Sequence, residues 1–131
     1  MLGNKTWVYN IISLESKLAL GAHDMDCVIG NVTLRFTDGT EKFIPIGQDI
    51  PLPVNAHEYC YCNDANEVLC RLETRQVEKT KVGERTRNLF YIVQGNDATD
   101  EALLAETAKR IINETVKYCG GKGRLIVPKI V

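Results

Sequence analysis

Residues 56–72 read AHEYCYCNDANEVLCRL, and their pattern decides the class of the fold. Two β-rich runs, His57 to Cys62 and Glu67 to Leu72, flank Asn63-Asp64-Ala65-Asn66. Asn and Asp side chains bond their own backbone and tolerate left-handed conformations, so the four residues predict a turn and the runs predict the two arms of a β-hairpin. Tyr59 and Tyr61 alternate with Cys60 and Cys62. That spacing puts both rings on one strand face, suited to covering a core or to stacking on an unpaired base. The same alternation differs from the short knuckle of a zinc-binding pair. No metal is therefore expected at His57, Cys60, Cys62 and Cys70, and His57 is expected to be an exposed polar residue.

Working outward, Val32, Leu34 and Phe36 alternate with Thr33, Arg35 and Thr37, and Asp38-Gly39 separates them from Phe43, Ile44 and Ile46. A tight-turn dipeptide between two such runs predicts a hairpin. Ile50-Pro51-Leu52-Pro53 is excluded from a central strand because proline has no amide donor, so it reads as a connecting loop or an edge. Apolar residues at 7, 8, 11, 12, 14 and 18 suit a short helix over Trp7 to Lys17, entering a loop that ends near Gly21. Downstream, Arg87 to Gln94 predicts a strand buried on both faces. Leu104, Ala108, Ile111, Thr115 and Tyr118 recur at steps of four and three, which predicts the clearest helix, begun at Asp97 or Thr99 and stopped by Gly120-Gly121. Arg124 to Val127 predicts a last short strand. The sum is an α+β fold in which layered sheets, built from two hairpins and a buried strand, are covered by a long C-terminal helix.

Composition narrows the class. The chain has 131 residues, 44% hydrophobic and 25% charged, with 10 Gly and 4 Pro, which suits one globular domain over 1–131. No apolar run approaches the roughly 20 residues of a membrane-spanning helix, and no signal peptide is visible at the start. Five cysteines, an odd number, in such a chain fit reduced thiols. A cytoplasmic location is expected, with no membrane contact. The formal net charge is −1, so the molecule as a whole has no field that draws it to nucleic acid. Between Arg71 and Arg87, however, six basic residues stand against three acids.

No phosphate loop, dinucleotide fingerprint, nucleophile elbow or zinc-protease motif is present. What the chain does carry is a set of stretches, YNIISLESKLALGAHDMDCVIGNVTLRF (9–36), FIPIGQDIPLP (43–53), EYCYCNDANEVLCR (58–71) and KVGERTRNLFYIVQG (81–95). Together they resemble the B3/4 editing domain of the phenylalanyl-tRNA synthetase β subunit, and more closely the freestanding proteins built from that domain alone. The resemblance covers position 7 to about 121 and is most specific in GAHDMDCVIG, CRLETR and ERTRN. It implies an editing-domain-like fold and a pocket for the 3′ end of a mischarged tRNA. A substantial N-terminal portion of that domain has no counterpart before YNIISLE, so a homo-oligomer or a second chain completing the fold is expected.

The family motif Q-P-x-H-A-F-D, set on Leu18 to Asp24, puts Gly21 at the editing histidine, Ala19 at the proline and His23 at the aromatic residue, while Asp24 matches. The strand after Thr86 and Asn88 carries no carboxylate at the place of the family's tyrosine-reading glutamate, and Arg71-Leu72-Glu73-Thr74-Arg75 replaces a glycine-rich turn. His23 and Asp24 are the catalytic candidates, for positioning a water, with Asp24 equally a turn or cap residue. Arg71 and Arg75 suit a bidentate clamp on phosphate or carboxylate, or salt bridges to Glu73 or Glu84. Thr86 and Asn88 suit a turn fixed by side-chain bonds. The RNA- or substrate-binding set is Gly21, Asp24, Arg71, Arg75, Arg85, Thr86, Arg87 and Asn88, with no cofactor. Three functions compete: a module binding tRNA or other RNA, a hydrolase of mischarged aminoacyl-tRNA acting in trans, and a sensor or interaction subunit for a small metabolite such as an amino acid. The absent histidine favours binding over catalysis.

Overall fold

The computed structural model describes residues 10–72 and 76–129. A helix, α1, occupies 10–16, followed by strand β1 (Ala19–Asp24), a 3-10 turn (Met25–Cys27), β2 (Thr33–Asp38), β3 (Ala56–Cys62), β4 (Val68–Arg71), β5 (Leu89–Gln94) and helix α2 (Glu101–Cys119). Strands β2, β3 and β4 form one antiparallel sheet in that order, and β1 pairs with β5 in a second. The fold is α+β, as the sequence implies.

Two compact units result, one of Ala22–Phe90 and one containing the described residues up to Gly21 together with those from Tyr91 onward. In the first, Phe43, Val54, Cys60, Cys62, Val68, Leu69 and Val77 are buried together. The arms of the 56–72 hairpin meet as expected, with Cys60 opposite Arg71 and Tyr61 opposite Cys70. The rings of Tyr59 and Tyr61 part company: Tyr61 packs on the core, while Tyr59 faces solvent beside its cross-strand partner Phe36, ring centroids 4.9 Å apart. Gly30 allows a close approach to the hairpin turn, because a Cβ there would fall 2.2 Å from Oδ2 of Asp64.

The first expected hairpin does not form. Asp38 and Gly39 do turn the chain, and the carboxylate of Glu41 closes that turn by accepting the amides of Asp38 and Gly39, both at 3.0 Å. The chain beyond it does not return along β2, whose partner is β3. Lys42 bridges to Glu67 and Pro45 to Val77 as isolated pairs. Proline at 45 offers no donor to a continuing ladder.

In the second unit, Ile12 and Ile111 are buried against each other, with Leu20, Tyr91 and Val93 around them. The N-cap of helix α2 is Asp100, one residue after Thr99 and three after Asp97, its carboxylate accepting the Ala102 amide at 2.9 Å. Gly120, at φ 77°, ends the helix and donates to the Val116 carbonyl. The buried stripe is Thr107, Ala108 and Ile111, and the Tyr91 hydroxyl meets Thr115 at 3.0 Å. Tyr118 departs from the expected stripe and is exposed. Residues 124–127 form no strand, and Leu125, Ile126 and Val127 are exposed. The stretch expected as a loop ending near Gly21 is strand β1, and β5 is half-buried along its length rather than sealed on both faces. Of the expected N-terminal helix, Trp7 to Tyr9 lie outside the described residues.

Candidate functional site

The end of β1 and the loop 80–88 are clamped together. The amide of Asp24 donates to the Thr80 carbonyl at 2.7 Å, and the amide of Met25 donates to the Asn88 carbonyl at 2.9 Å. Side chains add to the clamp. The Thr86 hydroxyl donates to Oδ2 of Asp24 at 2.9 Å, while Oδ1 accepts the Asp26 amide at 3.0 Å and caps the 3-10 turn. Asn88 donates through Nδ2 to both carboxylate oxygens of Asp26, at 3.3 and 3.2 Å. The Gly83 amide donates to the Thr86 hydroxyl. Asp24, Thr86 and Asn88, remote in sequence, thus share one network. Gly21 is buried earlier in β1 and belongs to the other unit.

His23 lies in the interior with 0% of its surface exposed. Its Nδ1 is 2.8 Å from the hydroxyl of Thr80, also fully buried, and its ring stacks on Phe90 with centroids 5.3 Å apart. Nε2 has no hydrogen-bond partner among the described residues. Burial disfavours the charged ring and pushes its pKa from the usual 6.5 to about 4, so the imidazole is neutral near pH 7. Cys27, in the 3-10 turn that follows β1, has its thiol pushed up, first by burial and then by the carboxylates of Asp24 and Asp26. A thiol held protonated is a poor nucleophile.

The basic stretch divides sharply. Arg71 grips Glu58 through both Nε and Nη2 and lies over the Phe43 ring at 5.4 Å; among the described residues its carboxylate partner is Glu58 and not Glu84, while Glu73 lies outside the described residues. This fork–fork pair uses the geometry that a phosphate clamp would need. It holds the Glu58 carboxyl below its ordinary range, chiefly by hydrogen bonding. Lys79 pairs with Glu67 at 3.0 Å, and Lys81 with Glu78. Arg85 and Arg87 are exposed on either side of buried Thr86 and make no ion pair with the described residues. Arg75 lies outside the described residues.

Sequence reasoning missed Thr80 and Glu58, which serve as partners from 57 and 13 positions away. Short-range signals do not reveal such partners. Chemically, the site offers an anchored loop with two solvent-facing guanidinium groups, and a neutral imidazole sealed from solvent. Among the described residues no helix is long and apolar enough to cross a membrane.

Residues 7–120 match the family model of the B3/4 domain. The fold is similar to the crystal structure of an N-terminal fragment of the phenylalanyl-tRNA synthetase beta-subunit from Pyrococcus horikoshii, with a TM-score of 0.76 and 18% identity over 92% of this chain and 41% of that chain. The chain therefore spans less than half the length of that fragment, and the likeness is one of fold. No curated protein sequence matches it. Because the family model extends from position 7 to position 120, the chain belongs to the B3/4 domain family.

Proposed function

We propose that the protein is an RNA-binding module that holds the acceptor end of a tRNA through Arg85 and Arg87. The observation that carries this reading is the division of the basic stretch: Arg71, Lys79 and Lys81 are neutralised internally, whereas Arg85 and Arg87 are exposed and make no ion pair among the described residues. Guanidinium groups match phosphate oxygens in a planar fork, and each contact releases condensed counterions. Between them, Thr86 is tied to Asp24, so the loop presents both groups from a fixed base. The family's occurrence in a phenylalanyl-tRNA synthetase subunit supports tRNA as the partner.

The hydrolase alternative rests on His23. A proton-transfer group must come within hydrogen-bond reach of the substrate, and a fully buried, neutral ring stacked on Phe90 is withheld from that role. This supports binding over catalysis. The test is a gel-shift titration with tRNA at several salt concentrations. Affinity should fall steeply with salt, and the double variant Arg85→Ala, Arg87→Ala should reduce the logarithmic salt slope by about two. Binding without salt dependence, or an unchanged slope in the variant, refutes the proposal.

A further inference from the structure

Phe36 on β2 and Tyr59 on β3 are cross-strand partners, with ring centroids 4.9 Å apart and ring planes inclined by 34°. Phenylalanine is among the residues most often buried, yet Phe36 is 65% exposed and Tyr59 44%. The backbone under the two rings is fixed. The register shifts between Phe36 and Asp38, where His57 on β3 takes φ 65°. The hydroxyl of buried Thr37 holds this bulge by donating to the Asn55 carbonyl at 2.6 Å and accepting the Glu58 amide at 3.0 Å. Bulges re-aim the side chains beside them, and this one adjoins the exposed pair.

The exposed apolar surface is short along the strands. The next pair in the register on one side is Asp38 and Ala56, an acid and a small residue, and on the other Leu34 and Tyr61, both half-buried. An aromatic side chain covers about 150–250 Å² when wholly buried, so the exposed parts of the two rings leave roughly 200 Å². Each partner in a stable protein interface contributes about 800 Å², several times more. One or two flat nucleobases match the smaller area. The neighbouring cation on β2, Arg35, is engaged by Glu41 and Asn66, so the pair offers stacking rather than attraction for phosphate. Every base has a π-face, and aromatic side chains carried on antiparallel strands receive unpaired bases in this way in several RNA-binding folds.

We propose that Phe36 and Tyr59 form a stacking platform for an unpaired base of a bound RNA strand. The inference rests on the RNA-binding reading and adds to it a contact that carries no charge. Stacking and phosphate contacts therefore separate experimentally: loss of a ring lowers affinity at every salt concentration alike, whereas loss of an arginine also lowers the salt slope.

The experiment is a fluorescence-anisotropy titration of the full chain into a labelled RNA of about ten nucleotides, a length within the site size of single-strand binders, either free or annealed to its complement as a blunt duplex. Phe36→Leu and Tyr59→Leu keep apolar area but remove a ring. Each should weaken single-strand binding about fivefold or more, with the salt slope and the duplex affinity unchanged, because paired bases offer no free face. Phe36→Tyr and Tyr59→Phe should bind like the parent. Leucine variants that bind the single strand like the parent, while Arg85→Ala, Arg87→Ala still lowers the slope, overturn the platform and leave the RNA reading standing. A parent that shifts tRNA but not the single strand does the same, and one that binds neither overturns both. Equal weakening on single strand and duplex also overturns the platform. So does the loss, in the leucine variants, of a self-association of the parent with RNA affinity retained, which would make this face a contact between copies.

Discussion

Nδ1 of His23 and the hydroxyl of Thr80 lie 2.8 Å apart in the interior, although 57 positions separate them in the chain. The contact fixes one edge of an imidazole whose other edge has no partner among the described residues. A buried polar ring in this state is stable only while it is neutral, and this makes stability depend on pH.

Folding lowers the pKa of His23 from 6.5 to about 4, so the unfolded chain takes up its proton more readily than the folded one. The contribution of the neutral ring is complete above pH 6.5 and is lost as pH falls from there towards 4. At 1.36 kcal/mol per pKa unit, the loss between pH 7 and pH 5 is about 2 kcal/mol. Urea unfolding at these two pH values should show it in the parent and not in His23→Phe, which keeps an aromatic ring against Phe90. An equal decrease in both proteins would show that His23 is not the source. The lowered carboxyls of Glu58 and Glu67 act at more acid pH, since their ordinary value is 4.5.

Asp24 joins two elements by accepting from Thr86 and from the Asp26 amide. Asp24→Ala removes both bonds and should cost about 1–3 kcal/mol of stability, measured by thermal or urea unfolding. Its effect on RNA binding separates two causes. Deleting an acid near Arg85 and Arg87 strengthens phosphate attraction if charge alone matters, whereas releasing the loop weakens binding if presentation matters. We expect the affinity for tRNA to decrease, and an increase would show that the clamp has no part in recognition.

Arg71 and Arg85 lie in the same basic stretch but should fail in different assays. Arg71→Ala removes a two-point ion pair to Glu58 and a cation over Phe43, at side chains about a fifth to a quarter exposed. It should destabilise the fold by about 1–3 kcal/mol and leave the salt slope of RNA binding unchanged. Arg85→Ala should leave stability within about 0.5 kcal/mol and reduce that slope by about one. A reduced slope with Arg71→Ala would place that arginine on the RNA.

The protein should not hydrolyse tyrosyl-tRNA specific for phenylalanine. Gly21 supplies no side chain, and His23 is sealed against Phe90 and Thr80. Reading a phenolic hydroxyl requires a hydrogen-bonding group in the site. Deacylation followed with the parent and with His23→Ala should give the same background rate, and fast hydrolysis lost in His23→Ala would establish a catalytic imidazole.

What the sequence determined by itself was local: the turn between two strands and the long C-terminal helix. The turn at Asn63 to Asn66 lies between β3 and β4, because Asx side chains satisfy the turn backbone locally. Helix α2 follows from the recurrence of Ala108 and Ile111 on one stripe and from glycine at its end. Asp38-Gly39 likewise turned the chain, but which strand β2 would meet was not written there. Alternation shows that one face is apolar without showing what will cover it. Only the tertiary structure decided that β3 pairs with β2, that Glu58 takes the fork of Arg71, and that His23 is buried beside Thr80. Each of these joins residues whose proximity depends on burying distant apolar surfaces together, a non-directional force that selects partners only when the chain has folded.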